Sequence, residues 1–397
     1  MEDDVSEPIV RLKPKKERPV LLGHPWIFSG AIADLDPGLE PGQTVVVLSA
    51  GGEFLGRGYV NPRCAIAVRL LTRADEPIDA QLVQQRVAHA LELRRSILPP
   101  ASDAYRLING EGDFLPGTIA DVYASSIVLQ CLTAGAAKLK PLVIEALDAT
   151  LAPAGIYERS TGTVRREEGL APEEGVVAGE VPAGPVSIRE NGLRFLVNVQ
   201  GGQKTGFFLD QRDNRALVRQ LAAGHDILNA FAYTGAFSIY AAAGGARHVT
   251  SVESSPRALD LARDNWSVNQ LGAGVGEFVE ADVFRYLRDV ERTFDLLILD
   301  PPALVKRRQE LMRGARAYKD LHLWAFRRAA ADAHVMTFSC SQHVSPELFW
   351  KIVHGAAVDA RRAVQVLRHL GAGADHPTSL AHPEGEYLKG LLLRVCA

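Results

Sequence analysis

Five residues with reactive or hydrogen-bonding side chains stand at the ends of predicted strands in the second half of the chain: Asn229, Glu253, Asp282, Asp300 and Cys340. In an open sheet of parallel strands the carboxyl ends meet at one edge, and ligands bind just outside it. One carboxylate at a strand end is commonly the cap of the following helix. Three in successive strands are much less common, so the pattern predicts a single ligand-binding edge.

The stretch from His225 to Glu253 predicts how this edge is built. An apolar run indicates a buried strand, Tyr233-Thr234-Gly235 breaks it, and residues 236–243 continue as a small-residue helix. A second strand, residues 248–252, then ends in Glu253. A carboxylate at this place in a doubly wound sheet accepts hydrogen bonds from a ribose.

The same turn indicates which cofactor fits. It carries one glycine rather than G-x-G-x-x-G, so a dinucleotide pyrophosphate is a poor fit. A nucleoside cofactor without phosphates, such as S-adenosylmethionine, needs only the close backbone approach and the ribose acceptor. We expect Glu253 to hold the ribose hydroxyls, Asp282 the adenine amino group, and Gly235 to allow the close approach. A structural strand-helix-strand unit with an accidental Glu is the alternative.

Asp300 and Cys340 predict the reaction. Asp300-Pro301-Pro302 resembles the fourth motif of nucleic-acid methyltransferases, although Ala303 follows where methylators of exocyclic amines usually carry an aromatic residue. Carbon 5 of cytosine is a poor nucleophile until a thiolate adds to carbon 6, and a carboxylic acid near ring nitrogen 3 neutralises the developing charge. Cys340, flanked by two serines, and Asp300 would supply these groups. The alternative for Cys340 is a small buried residue without a chemical role.

Composition narrows the class of protein. The 397 residues, 47% hydrophobic and 23% charged, are typical of a globular protein with two or three domains. The net charge of −3 argues against a general polyanion binder. The four cysteines lie far apart, so a disulfide framework or zinc cluster is not expected. No apolar run reaches membrane-spanning length, and the acidic amino terminus lacks the core of a signal peptide. The scattered cysteines are typical of a reducing cytoplasm, where we expect the protein.

The order of elements predicts three domains. Short β-type segments punctuated by glycine and proline predict an all-β module over residues 1–73, which includes the basic stretch Arg11–Arg18. That stretch is either an RNA-binding segment or a solvated, extended arm. A helix at residues 79–98, several strands and a second helix predict an α+β domain over residues 74–190, with an irregular excursion at residues 162–181. Residues 191–397 predict the α/β domain that carries the site. In it, the basic stretch Lys306–Lys319 is expected to contact RNA phosphates, with a solvated surface as the alternative, and Lys204 and Lys306 are predicted substrate-binding residues.

The chain also resembles a known family over nearly its full length. GHPWIFSGAI (residues 23–32) resembles a PUA domain, a small RNA-binding barrel. With GGQKTGFFLDQRDNR, LNAFAYTGAFS, LDPP, RAYKD, TFSCS, ADHP and EGEYLKG, the chain closely resembles the bacterial 23S ribosomal RNA cytosine-5 methyltransferase I family. The resemblance implies a PUA domain, an α+β central domain and a Rossmann-like methyltransferase domain, and possible dimers. It implies Cys340 as nucleophile, Asp300 as its acid partner, and cofactor contacts at Gln211, Asn229, Phe231, Tyr233, Gly235, Glu253, Asp282 and Asp300.

Two departures accompany the resemblance. Relatives carry Cys where Ala230 stands, which should change only packing, and Lys where Ala303 stands, which leaves the contacts to the target nucleotide open. No second cysteine lies beside the prolines, so the base that removes the carbon 5 proton is not identified.

From the site residues and the resemblance together, we predict an S-adenosylmethionine-dependent enzyme that forms 5-methylcytosine in 23S ribosomal RNA. The alternatives are methylation of a base nitrogen, or an RNA-binding assembly factor without turnover.

Overall fold

The structure is a computed structural model that describes residues 7–201 and 205–397. Contacts divide the chain into two compact units. Unit 1 contains residues up to 188 together with 197–209 and 374–385, and unit 2 contains residues 189–196, 210–373 and 386–397. The division of the chain into domains at residues 73 and 190 stays a prediction.

The first part of unit 1 is a six-stranded, mostly antiparallel sheet, as the all-β prediction required. Its elements are β1 (Ile9–Leu12), α1 (Arg18–Leu21), β2 (Trp26–Phe28), β3 (Ile32–Leu35), β4 (Gln43–Leu48), β5 (Phe54–Val60) and β6 (Ile66–Thr72). The strand order is β2-β6-β5-β4-β1-β3. β-Branched residues such as Val10, Val45, Val47 and Val68 fill its core because their branched side chains pack well on a pleated surface.

The basic stretch Arg11–Arg18 does not form an extended arm. Its first two residues belong to β1, Arg18 begins α1, and a turn joins the two elements. Lys13 Nζ donates to the Gly30 carbonyl oxygen at 3.0 Å, and the Lys13 amide donates to Ala31. These bonds fix the turn against the short segment between β2 and β3, and Lys13, Lys15 and Lys16 are exposed on it.

The second part of unit 1 is an α+β layer. Its elements are α2 (Ala80–Ile97), β7 (Ala104–Asn109), β8 (Thr118–Tyr123), β9 (Ser126–Cys131), α3 (Ala134–Leu151), β10 (Gly155–Ser160), α4 (Thr163–Glu167) and β11 (Glu173–Gly179). The strand order is β11-β10-β9-β8-β7. The expected irregular excursion at residues 162–181 is wrong in part, because it contains α4 and the edge strand β11. Glycine and acidic residues are poor strand formers, and β11 exists because β10 supplies its hydrogen-bonding partner.

Buried polar contacts join the two sheets of unit 1. Tyr59 on β5 donates to the Pro116 carbonyl oxygen at 2.9 Å and lies 2.7 Å from Thr133 Oγ1. Arg69 on β6 pairs with Glu168 at 2.6 Å, and both side chains are buried. A buried charge requires such a partner, so these contacts fix the packing of the two sheets.

Unit 2 is built on a seven-stranded sheet with the order β16-β15-β14-β17-β18-β20-β19. After the hairpin of β12 (Val186–Glu190) and β13 (Leu193–Val197), the elements are α5 (Arg212–Leu221), β14 (Asp226–Ala230), α6 (Ala236–Ala243), β15 (His248–Glu253), α7 (Pro256–Val268), β16 (Gly276–Glu280), α8 (Val283–Asp289), β17 (Phe294–Leu299), α9 (Leu311–Arg328), β18 (Ala329–Ser339), α10 (Pro346–Ala360), β19 (Val364–Leu370) and β20 (Lys389–Val395).

The pairing in this sheet confirms the Rossmann-like prediction. Strands β14 to β18 are parallel to their neighbours, while β20 runs antiparallel between β18 and β19. Successive strands are added on one side of β14 up to β16 and then on its other side from β17 onward. The boundary between β14 and β17 is the topological switch point, where such sheets bind ligands. Helix α9 ends at Arg328 because Ala329 already pairs with Phe294 in the sheet. No helix among the described residues is both long and apolar enough to cross a bilayer.

Candidate active site

The turn after β14 is built from left-handed backbone. Phe231 has φ +61°, Tyr233 +48° and Gly235 +77°. Left-handed conformations cost non-glycine residues of order 1–3 kcal/mol, and such strain clusters at functional sites. A Cβ on Gly235 would lie 3.0 Å from the Cβ of Ala262 on α7. The glycine is thus explained by the turn and by helix packing, and the predicted close approach of a cofactor stays a prediction.

Glu253 joins two loops at the carboxyl edge of the sheet. Its Oε2 accepts from the Tyr233 amide at 2.9 Å, and its Oε1 accepts from the Ser254 and Ser255 amides at 2.8 and 2.9 Å. The carboxylate is half-buried. Because each carboxylate oxygen has two lone pairs, Oε2 keeps capacity for one further donor. The geometry suits an acceptor for a hydroxyl group.

Asn229 lies inside the sheet, one residue before the end of β14. Its Nδ2 donates to Ser238 Oγ at 2.8 Å, and Ser238 contacts Ser251 Oγ at 2.7 Å, which links β14, α6 and β15. Asn229 Oδ1 is buried and has no hydrogen-bond partner among the described residues. Thr234 Oγ1 in the neighbouring turn is also buried and has no hydrogen-bond partner among the described residues. Buried acceptors without partners cost about 1–3 kcal/mol, so both atoms mark places where a ligand could donate.

Asp282 is exposed and caps α8 through its Oδ1, which accepts from the Arg285 amide at 2.9 Å. One of the two carboxylate oxygens of Asp282 therefore serves as a helix cap, which is the structural alternative to a cofactor contact. Phe231 packs edge to face against Phe284 in the first turn of the same helix, with ring centroids 6.1 Å apart. Phe231 and Asp282 thus lie on two loops that meet at α8.

Asp300 follows β17 at the centre of the sheet and is half-buried. Gln211, which precedes α5, donates from Nε2 to Asp300 Oδ2 at 3.1 Å. The Gln211 amide oxygen in turn accepts from Asn214 Nδ2 at 2.6 Å. The amide of Gln211 is therefore oriented with its donor toward the carboxylate, and the structure brings these two predicted site residues together.

Cys340 follows β18, the strand beside β17, and its side chain is half-buried. The serines on either side point to a common partner: Ser339 Oγ donates to Tyr318 Oη at 3.0 Å, and Ser341 Oγ lies 3.1 Å from the same atom. Tyr318 is fully buried on α9, and burial raises the pKa of its hydroxyl. The amide of Val305, in the loop after β17, donates to Ser341 Oγ at 3.2 Å. The loops after β17 and β18 are therefore tied together, with Asp300 in one and Cys340 in the other.

The predicted substrate lysines have different outcomes. Lys204 lies outside the described residues. Lys306 is exposed in the loop after β17, together with Arg307 and Arg308, and Arg313 and Arg316 are exposed at the start of α9. Lys319 in the same stretch pairs with Asp359 at 2.8 Å, so part of its charge is already compensated.

Three residues of the site were not predicted from the sequence. Tyr318 holds the two serines, His322 on the same helix contacts Thr337 Oγ1 at 2.7 Å, and Lys389 on β20 donates to the Ser341 carbonyl oxygen at 2.9 Å. Tyr318 lies in the motif RAYKD and Lys389 in the motif EYLKG, so both stand in stretches that carry the family resemblance, which did not indicate their roles. Their roles depend on contacts between elements distant in the sequence.

Two family models match the chain. One describes a PUA-like domain and matches residues 10–73, and the other describes an S-adenosylmethionine-dependent methyltransferase and matches residues 166–321. Ribosomal RNA large subunit methyltransferase I of Pseudoalteromonas atlantica is 44% identical over 391 residues, which cover 97% of this chain and 99% of that protein. The protein of the same name from Salmonella arizonae is 40% identical and covers 98% of both chains.

Solved structures agree on the fold. A protein of Streptococcus mutans, described with the S-adenosylmethionine-dependent methyltransferases, is 22% identical with a TM-score of 0.84 over 98% of this chain and 100% of its own. A further structure, a methyltransferase-like protein in complex with S-adenosylhomocysteine, is 23% identical, also with a TM-score of 0.84, over 98% of this chain and 99% of its own. At this level of identity the likeness concerns the fold alone.

Proposed function

Since the chain belongs to the ribosomal RNA large subunit methyltransferase I family, we propose that it forms 5-methylcytosine in 23S ribosomal RNA through covalent attack by Cys340. The family membership makes the chain an S-adenosylmethionine-dependent methyltransferase that acts on large-subunit ribosomal RNA. The base, the ring position and the covalent step are the proposal.

The residues at the sheet edge fit an adenosyl cofactor. Glu253 would accept from the ribose hydroxyls with the remaining capacity of Oε2, and the unpartnered Asn229 Oδ1 and Thr234 Oγ1 leave acceptors for further donors. The exposed Asp282, whose second oxygen is not used by the helix cap, would accept from the adenine amino group. The sulfonium of S-adenosylmethionine supplies the electrophilic methyl group.

Asp300 is assigned to the cytosine ring. As a carboxylic acid it would hydrogen-bond ring nitrogen 3 and stabilise the charge that develops there. Gln211 donates to one of its oxygens at 3.1 Å and thereby fixes the direction of the carboxyl group. The target base reaches this place either flipped out of its stack or from an unpaired segment.

Cys340 is assigned to carbon 6 of the same ring. Its sulfur would form the bond to carbon 6, which makes carbon 5 electron-rich enough to accept the methyl group. Loss of the carbon 5 proton then restores the double bond and expels the thiolate. The observation that carries the proposal is the fixed, half-buried position of Cys340 beside the Asp300 loop, with both flanking serines held by Tyr318.

Replacement of Cys340 tests the proposal. Cys340→Ala should abolish methyl transfer to large-subunit ribosomal RNA and leave S-adenosylmethionine binding intact, because the thiol acts on the base and not on the adenosine. Cys396→Ala is the control, since this half-buried cysteine follows the opposite end of β20. Methylation by Cys340→Ala at nearly the wild-type rate would overturn the covalent mechanism and favour methylation of a base nitrogen.

Mapping of the product separates the remaining possibilities. Sequencing of ribosomal RNA from a deletion strain should show one cytosine that loses its 5-methyl group and regains it when the wild-type chain is restored. An unchanged methylation pattern would instead favour an assembly factor without turnover. The proposed homodimer and the cytoplasmic location stay predictions.

A further inference from the structure

Lys389 lies at the same edge of the sheet as Cys340. It is the first residue of β20, and it pairs with Ser339, the last residue of β18. Because β20 is antiparallel to β18, the start of β20 and the end of β18 coincide at the carboxyl edge. Lys389 is therefore brought next to Cys340 by strand register and not by a flexible loop.

The ammonium group of Lys389 is held against the segment that carries Cys340. Its Nζ donates to the Ser341 carbonyl oxygen at 2.9 Å, and its side chain is half-buried. One hydrogen bond uses one of the three donors on the amine, so two remain. Ser339, paired with Lys389 in the sheet, and Ser341, which accepts its hydrogen bond, bracket Cys340 on both sides.

The charges around Lys389 favour a partner with a negative charge. Burial lowers the pKa of Lys389, whereas Cys340 and Glu386 raise it through their charges. Tyr318 on α9 stays uncharged because burial raises the pKa of its hydroxyl group. Burial destabilises a lone ammonium and a lone thiolate, and an ion pair between the two stabilises both charged forms.

We propose that Lys389 is the positioning residue that holds Cys340 as a thiolate, by pairing its ammonium group with the thiolate sulfur. The thiol proton leaves Sγ for solvent water, which the half-buried Cys340 contacts, and the ammonium keeps its own three protons. When the product forms, the thiolate expelled from carbon 6 returns to the same ammonium. The inference rests on the proposed role of Cys340, but the protonation of the thiol is measurable without any methyl transfer.

The test measures the reactivity of Cys340 in the full-length protein without RNA. The rate of Cys340 alkylation by iodoacetamide is followed from pH 5 to pH 10 by mass spectrometry of the Cys340 peptide. Wild type, Lys389→Gln and Lys389→Arg are compared. Arg394→Gln is the control, since Arg394 is an exposed cation on the same strand that pairs with Asp332 at 2.9 Å.

Loss of Lys389 should move the midpoint of the alkylation profile upward by about one pH unit, which slows alkylation at pH 7 about tenfold. Lys389→Arg should restore most of the rate because it keeps a cation that can donate to Ser341. Arg394→Gln should leave the profile unchanged. Equal profiles for wild type and Lys389→Gln would overturn the inference, as would a Lys389→Arg profile like that of Lys389→Gln.

The outcome is separable from that of the proposed function. If Cys340→Ala still methylates RNA while the alkylation profile shifts in Lys389→Gln, the covalent mechanism fails and the ion pair stands. If Cys340→Ala is inactive and the profile does not shift, Cys340 is the nucleophile without activation by Lys389. Should Lys389→Gln not fold, the charge-preserving Lys389→Arg and the neutral Lys389→Met give the same comparison.

Discussion

At the residue scale, Glu253 has two tasks that use the same carboxylate. It accepts from the amides of Tyr233, Ser254 and Ser255, which fixes the turns after β14 and β15. The capacity left on Oε2 is what we assign to the ribose. A test of the ribose contact must therefore keep the size of the side chain.

Glu253→Gln keeps the size and removes a carboxylate acceptor. We expect S-adenosylmethionine binding to weaken by about 1–3 kcal/mol, a factor of roughly 5 to 150, because a donor in the site then lacks its partner. Isothermal calorimetry measures the change. Glu280→Gln is the matched control, since Glu280 pairs with Glu253 across the sheet and is exposed. Unchanged affinity in Glu253→Gln would place the adenosine site elsewhere.

At the element scale, α9 fixes the end of β18. Its residues Tyr318 and His322 contact Ser339, Ser341 and Thr337 from one helical face, because positions four apart lie on the same side of a helix. His322 is fully buried, and burial lowers the pKa of its imidazole to about 4. The neutral ring is thus required for the folded state.

This burial predicts a pH dependence of stability. In the unfolded chain His322 is protonated below about pH 6.5, whereas in the folded chain it stays neutral down to about pH 4. The free energy of unfolding therefore decreases as the pH falls from 6.5 to 4. The loss amounts to roughly 3.5 kcal/mol at most, from about 1.4 kcal/mol for each pH unit. Urea unfolding at several pH values should therefore show a smaller decline in His322→Asn than in wild type. His343→Asn, at an exposed position, should keep the wild-type decline; equal declines in all three would contradict the assignment.

How far the elements could be predicted depends on whether their signal is local. Helix α6 has the predicted limits, and α7 and α10 begin at Pro256 and Pro346, each capped by the side chain of the serine before it. Strands β19 and β20 were not predicted, because neither is recognisable until it pairs in the antiparallel order at the sheet edge. The candidate site divides in the same way. Its strand-end residues were predicted, whereas Tyr318, His322 and Lys389 require knowledge of which elements pack together.

At the scale of the whole molecule, the two units present separate basic surfaces. The turn after β1 exposes Lys13, Lys15 and Lys16 in unit 1. The loop after β17 and the start of α9 expose a second set of cations in unit 2: Lys306, Arg307, Arg308, Arg313 and Arg316. The net charge of −3 means that phosphate binding depends on such local clusters. The PUA-like match over residues 10–73 includes the first of them.

Neutralisation of the first cluster should flatten the salt dependence of RNA binding. Replacing Lys13, Lys15 and Lys16 with Ala should reduce the slope of log K against log salt by about 0.7 to 0.9 for each phosphate that the protein no longer neutralises. Binding of a large-subunit RNA fragment at several salt concentrations measures the slope. Replacing Arg63, Arg95 and Arg166 with Ala is a control of equal charge at exposed positions of the same unit. An unaltered slope in the lysine variant would mean that the turn is a solvated surface that does not contact RNA phosphates.

The covalent step is tested most directly with RNA that carries 5-fluorocytosine. Fluorine cannot leave carbon 5 as the proton does, so the bond between Cys340 and carbon 6 should persist once the methyl group is transferred. We predict a stable protein–RNA adduct in wild type, located at Cys340 by mass spectrometry, and no adduct in Cys340→Ala. Methylation of the native RNA by the wild-type chain without any adduct on the fluorinated RNA would contradict the mechanism.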